Sequence, residues 1–141
     1  MKLNPASEKY ISLATFRRDG REVRTPVWVV GDDGGDGGGD GANSQELYVF
    51  SESKAGKVKR IRNNGRISIA PCDLRGKLTH DLWQQGSAEI VTDASKIENI
   101  YQIFDKKYGW QMRLLNFIAK LNGRYHKRAV LALKLNQIPG D

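Results

Sequence analysis

Two strand-type runs on either side of an Asp-Gly pair commit the start of this chain to antiparallel sheet. Tyr10 to Phe16 (YISLATF) is dense in β-branched and aromatic residues, and Glu22 to Val30 (EVRTPVWVV) follows it. Asp19-Gly20 between them is a tight-hairpin signal. Pro26 removes a ladder donor from the second run, which places that run at a sheet edge or a bulge. A third strand is expected at Leu47 to Ser51, a fourth at Arg66 to Cys72 and a long fifth at Thr79 to Val91, bent at Gly86. Arg128 to Leu135 closes the series. Helical spacing appears three times. Ser53 can cap a short basic helix to about Asn63, with Val58 and Ile61 on one face. Lys96 to Tyr108 carries Ile97, Ile100, Tyr101, Phe104 and Tyr108 on one stripe. Trp110 to Asn122 follows Gly109, with Trp110, Leu114, Phe117, Ile118 and Leu121 expected inward. The result is a mainly β fold, a six-stranded antiparallel split barrel of Greek-key type. A basic helix follows strand three and a helical pair precedes the last strand. At 141 residues the whole chain, 1–141, is one domain.

Gly31 to Gln45 interrupts this pattern with a Gly/Asp tract that cannot bury a core, so it is expected to be a flexible hairpin loop. The charge around it is segregated. Asp32, Asp33, Asp36, Asp40, Glu46 and Glu52 hold six of the sixteen acids. From Ser53 to Cys72 and again from Lys106 to Gly140 there is no acid at all. The net charge of +7 favours anionic partners. One cysteine, Cys72, excludes a disulfide framework and a Cys-rich zinc site, and His80 and His126 are too far apart in sequence to suggest a His-built metal centre. No apolar run reaches membrane-spanning length, and the N-terminus has no signal-peptide core. A cytoplasmic protein with a reduced Cys72 and no membrane partner is expected.

No self-sufficient catalytic set emerges. The chain has no Gly-x-Ser-x-Gly elbow, Walker loop or His-Glu-x-x-His. Cys72 lies between Pro71 and Asp73, where an acid opposes thiolate formation, and reads as a small hydrophobe at a strand end. His80 beside Asp81 reads as a surface ion pair. No catalytic residue is assigned, and an enzyme built this way would leave the reaction to a cofactor. The strongest local feature is Ser53 to Asn63 (SKAGKVKRIRN), where a strand runs into a helix. Gly56 admits a ligand close to the backbone, the helix start favours a phosphate, and Lys57 adds a full charge. The same residues also suit a solvated basic helix face.

The stretches YISLATFRRDGREVRTPVWVV, LYVFSESKAGKVKRIRNNGRISIAPCDLRGK and KKYGWQMRLL cover 62 of the 141 residues. Through them the chain resembles the pyridoxamine-phosphate-oxidase-like split-barrel superfamily, and within it the subgroup that uses the deazaflavin coenzyme F420. The Gly/Asp tract stands as an insertion. The resemblance implies a homodimer with two cofactor sites at the interface. It implies that Thr25, Pro26, Val27 and Trp28 lie along the ring of FMN or F420. Phe50 and Ser51 would lie near the ribityl chain or phosphate. In the flavin oxidase relatives an Arg-Lys pair opens the next helix and grips the phosphate. Counted back from the helix end, the lysine position falls on Lys57 and the arginine position on Gly56. Lys54, Lys59 or Arg60 would then supply the second charge. This departure, together with the lack of a match to the oxidase's C-terminal substrate segment, argues against pyridoxamine-phosphate oxidation itself.

The functional expectation is an oxidoreductase passing a hydride between coenzyme F420 and an electron-poor small molecule. FMN-dependent reduction or oxidation is the alternative. Trp28, Trp83 and Trp110 are candidates for an apolar substrate pocket, or for packing. A second class is a binding module without catalysis, for flavin or haem. A third, nucleic-acid binding, rests on charge alone: Tyr101, Phe104 and Phe117 sit at core spacing rather than interleaved with cations.

Overall fold

The computed structural model describes residues 5–31, 46–52, 55–121 and 128–136. β1 (Tyr10–Phe16) and β2 (Glu22–Trp28) form the expected hairpin, with Gly20 at φ +89° in its turn. They are followed by β3 (Val30–Gly31), β4 (Glu46–Glu52), α1 (Gly56–Asn63), β5 (Arg66–Cys72) and β6 (Gln84–Ile90). Then come α2 (Ala94–Tyr108), α3 (Trp110–Leu121) and β7 (Arg128–Leu135). One antiparallel sheet runs in the order β2-β1-β5-β6-β7-β4-β3. Its last strand, β3, resumes the chain of its first, β2, after a single residue, so the sheet curls until its two edges adjoin. The expected second strand is thus divided, which makes seven strands of the expected six.

Val29 makes the division. Its N–H donates to the Tyr108 hydroxyl at 3.0 Å, and its carbonyl accepts from Lys107 Nζ at 2.6 Å and from Tyr108 Oη at 3.1 Å. Its backbone groups serve the end of α2 instead of a strand partner. Pro26 pairs opposite Ser12 on the edge strand, as the missing donor requires. The fifth strand is shorter than expected. Only Gln84–Ile90 is strand, and residues 79–83 form no ladder apart from turns and bends. Gly86 is not a bend but a close approach: a Cβ there would collide with the Lys134 carbonyl of β7.

Strand alternation yields two apolar cores. Ile11, Leu13, Val27, Val29, Leu47, Val49, Ile67, Ile69, Leu131 and Leu133 fill the interior of the curl, and Ile61 of α1 joins them. Each such side chain contributes roughly 1.5–3 kcal/mol by leaving water. The opposite face of β3, β4 and β7 meets Ile100, Phe104 and Tyr108 of α2 and Met112 of α3. Asp93 caps α2, its Oδ1 accepting from Ser95 N–H at 3.1 Å. α3 is a helix where expected, but its inward face is not the expected one. Met112 and Ala119 are buried, whereas Trp110, Leu114, Phe117, Ile118 and Leu121 are all exposed. Only Gly109 separates the helices, and its carbonyl accepts from Met112 and Arg113. That turn sets which side of α3 meets α2. Phe117 is therefore not a core residue. No helix among the described residues is long and apolar enough to cross a membrane.

Candidate functional site

α1 follows β4 and lies across one end of the curled sheet, its Val58 and Ile61 buried. The residue before it is Ala55, not Ser53; Ser53 lies outside the described residues. No described side chain caps the helix, and the Ala55 carbonyl accepts from the Val58 and Lys59 N–H groups, which leaves the Gly56 and Lys57 amides without a described acceptor. Three of the anticipated residues come together here. Lys57 is half-buried; burial and the neighbouring Arg60 lower its ammonium pKa, while Glu52 pulls it back up. Arg60 donates from Nε to Thr15 Oγ1 of β1 at 2.6 Å. A Cβ at position 56 would stand 2.7 Å from Arg60 Nη1. The guanidinium from one turn further on thus occupies the space beside position 56, where the resemblance expects an arginine. Lys59 is exposed. Lys54 lies outside the described residues.

β2 brings the strand residues past this end. Val23 pairs opposite Thr15. Thr25 is the next residue on the same face, about 7 Å further along the strand. Its Oγ1 is buried without a hydrogen-bond partner. Most buried hydroxyls in folded proteins have a partner, so an orphaned one points to a group the chain itself does not supply. Val27 is buried in the interior core and Pro26 is exposed on the edge, with Gly76 close over its ring. Ser51 sits half-buried at the end of β4, opposite Ala129.

Trp28 and Phe50 are brought together, but under α2. Trp28 stacks on Tyr108 with centroids 4.3 Å apart and meets Phe50 edge-on at 6.3 Å. Phe50 in turn packs edge-on against Phe104 at 4.8 Å. These rings belong to the second core. Trp83 lies under the Arg24 guanidinium at 4.4 Å, and Trp110 is exposed. The three tryptophans are therefore spread over separate places and line no common pocket.

The remaining candidates are quiet. Burial and Asp73 push the Cys72 thiol up to about 11, so it stays protonated and unreactive at neutral pH. His80 is exposed and makes no ion pair with Asp81 among the described residues. Nor does any group of three or more His, Cys, Asp or Glu among those residues gather as a metal site. Sequence reasoning missed Thr15, Arg17 and Arg18, which lie beside Arg60 at the β1–β2 corner. The signal was available, since an Arg-Arg pair directly precedes the hairpin's Asp-Gly. It also missed Lys107 and Tyr108 as the clamps on Val29.

Solved structures share this architecture. HutZ, described as a heme storage protein of Vibrio cholerae, aligns over 95% of this chain and 86% of its own, with TM-score 0.65 and 15% identity. The conserved hypothetical protein Rv2991 of Mycobacterium tuberculosis gives TM-score 0.60 and 19% identity over 92% and 74%. A Clostridium acetobutylicum protein related to general stress protein 26, of the pyridoxinephosphate oxidase family, gives 0.56 and 14% over 92% and 76%. At these identities the likeness is one of fold. No curated protein matches. The pyridoxamine 5'-phosphate oxidase family model matches residues 3–139, nearly the whole chain. A curled antiparallel sheet with a basic helix across one end, matched over this length, places the chain in the pyridoxamine 5'-phosphate oxidase family.

Proposed function

We propose that this chain binds a flavin-type cofactor, coenzyme F420 ahead of FMN, and serves hydride transfer to an electron-poor small molecule. The observation that carries the reading is the constellation at α1. Arg60 is held by Thr15 over Gly56, Lys57 is half-buried beside it, and no acid pairs with Arg60 or Lys57 among the described residues. A half-buried lysine in the first turn, and a guanidinium that reaches back to Gly56 from the last turn, suit a phosphate or phosphodiester. The orphaned Thr25 hydroxyl offers a further hydrogen bond on the strand side.

When bound, the cofactor supplies the redox chemistry at its ring. The chain's own work is to hold and orient. Arg60 and Lys57 fix the anionic end, and the edge of β2 offers backbone to the ring. The apolar interior behind Val27 keeps water from that side. F420 ranks ahead of FMN on the subgroup resemblance. The homodimer that the resemblance implies is part of the proposal, and the exposed apolar side chains of α3 give a second copy something to cover.

Parallel fluorescence titrations with F420 and FMN at physiological salt test this. Micromolar F420 binding with weaker FMN binding supports the reading. The reverse ranking makes the chain a flavin reductase or oxidase relative. Binding of neither overturns it and favours the non-catalytic reading, with haem the next ligand to try because HutZ shares the fold. Lys57→Ala should weaken cofactor binding by about 1–3 kcal/mol, the scale of a charged hydrogen bond. An unchanged dissociation constant would remove Lys57 from the site.

A further inference from the structure

Beyond α1 the same end of the molecule opens into a cleft of about 730 Å³, lined by Phe16, Arg17, Arg18, Arg60, Asn63 and Asn64. Three arginines and two asparagines line it, and no acid does among the described residues. The nearby acids are engaged elsewhere: Asp19 pairs with Arg21 at 2.8 Å, and Glu22 with Arg24. Among the described residues, Arg17, Arg18 and Arg60 have no ion pair. Among the described residues the Arg60 guanidinium hydrogen-bonds from Nε to Thr15, which aims the fork and leaves its terminal nitrogens without a described acceptor. Burial and the neighbouring Arg17 both lower the Arg60 pKa, so Arg17 and Arg60 are close enough to repel one another. Gathering like charges around an open space is costly unless an opposite charge enters it.

We propose that this cleft binds a small molecule carrying two or more linked oxyanions, phosphates or carboxylates, with Arg17, Arg18 and Arg60 as its forks. Guanidinium geometry matches both kinds of oxyanion, and the volume exceeds what a single phosphate fills. The cleft shares Arg60 with the proposed cofactor site, and Arg17 and Arg18 are what it adds to that site. The anionic groups come from one of two sources: the charged tail of a bound cofactor, or a separate polyphosphorylated ligand.

The test is calorimetric titration of the full chain with tripolyphosphate, alongside inorganic phosphate. Tripolyphosphate is expected to bind one per chain and tighter than phosphate. The Arg17→Gln/Arg18→Gln variant should weaken it by about tenfold or more, as lost charged hydrogen bonds predict. Arg60→Gln should do the same. A control, Lys106→Gln/Arg113→Gln, removes the same net charge from exposed positions on α2 and α3 and should change little. Thermal melts check that each variant folds. Absence of binding, or an equal loss in the control, overturns the proposal. So does displacement of tripolyphosphate by a single-stranded oligonucleotide that binds more tightly and with steep salt dependence, which would make the patch a nucleic-acid surface.

Two further arms separate the sources. Competition by F420 bearing an oligoglutamate tail, but not by FMN, assigns the cleft to the cofactor's tail. Simultaneous binding of tripolyphosphate and F420 assigns it to a second ligand. Tripolyphosphate binding without any cofactor binding would sink the oxidoreductase reading and leave this one standing.

Discussion

α2 and α3 are adjacent, similar in length and both amphipathic, yet they use their apolar residues in opposite ways. α2 turns Ile100, Phe104 and Tyr108 into the second core, and its Lys107 reaches back to the backbone carbonyls of Ala6, Glu8 and Val29. α3 buries Met112 and Ala119 and presents Trp110, Leu114, Phe117, Ile118 and Leu121 to solvent, at exposures from 45% to 72%. Those five recur at i, i+4, i+7, i+8 and i+11, one stripe on the side away from Met112 and Ala119. Periodicity locates a stripe but does not say what it packs against. α2 is bound to the sheet at both levels, by ring packing and by polar clamps. α3 is attached by its narrow face, and its wide face is available to a partner.

The largest expected effect lies on α2. Phe104 is fully buried between Phe50 and Tyr108. Phe104→Ala should cost about 3–5 kcal/mol, measured by chemical denaturation, through lost burial and the cavity left behind. A cost near that of a surface change would mean that α2 is not the core helix.

Next comes the clamp. Lys107 Nζ donates to the carbonyls of Ala6, Glu8 and Val29 at 2.8, 2.6 and 2.6 Å. Lys107→Met removes three hydrogen bonds, although the Val29 carbonyl keeps the Tyr108 hydroxyl, and should cost about 2–3 kcal/mol. It also carries a pH signature. Burial lowers the ammonium from 10.5 to about 8, against a smaller pull upward from Glu8. Between those values the folded chain binds fewer protons than the unfolded one, so this residue's contribution makes stability rise with pH from about 8. The Cys72 thiol, raised from 9.0 to about 11, acts in the opposite sense, but only above pH 9. Denaturation at pH 7 and pH 9 should therefore show a gain in the wild type that Lys107→Met lacks. An equal gain in both would place the titration elsewhere.

The sheet was legible in the sequence because its signals are local. The Asp-Gly turn, the edge proline and the β-branched and aromatic run Tyr10–Phe16 each act within a few residues. The break at Val29 was not legible. It depends on Lys107 and Tyr108, about 80 residues away in sequence, whose side chains capture the backbone of Val29. The shortened fifth strand failed for a related reason, since residues 79–83 pass the strand patterning but find no ladder partner. At the site, Gly56 and Lys57 were read from the strand-to-helix junction, and Arg60 only as one of three candidates for the second charge that the resemblance implies. Thr15 and the Arg17-Arg18 pair were missed because only the folded sheet sets β1 beside α1. The face of α3 was misjudged on size, since the larger stripe was assumed to be the inner one.

The smallest effect on the isolated chain, and the sharpest test of the contrast, belongs to that outer face. Phe117→Ser combined with Leu121→Ser removes an aromatic ring and an isobutyl group from positions 59% and 72% exposed. In a monomer such surface changes cost within about 0.5 kcal/mol. If a second copy covers the stripe, the same pair should move the oligomeric state measured by light scattering toward monomer. It should also make stability depend less on protein concentration. The paired comparison with Phe104→Ala separates the two helices. An inner-face change should lower stability at every concentration. An outer-face change should lower it only where the assembled species dominates. A dimer that survives Phe117→Ser/Leu121→Ser unchanged would show that the stripe is not its interface. A wild type already monomeric at micromolar concentration would remove the homodimer altogether.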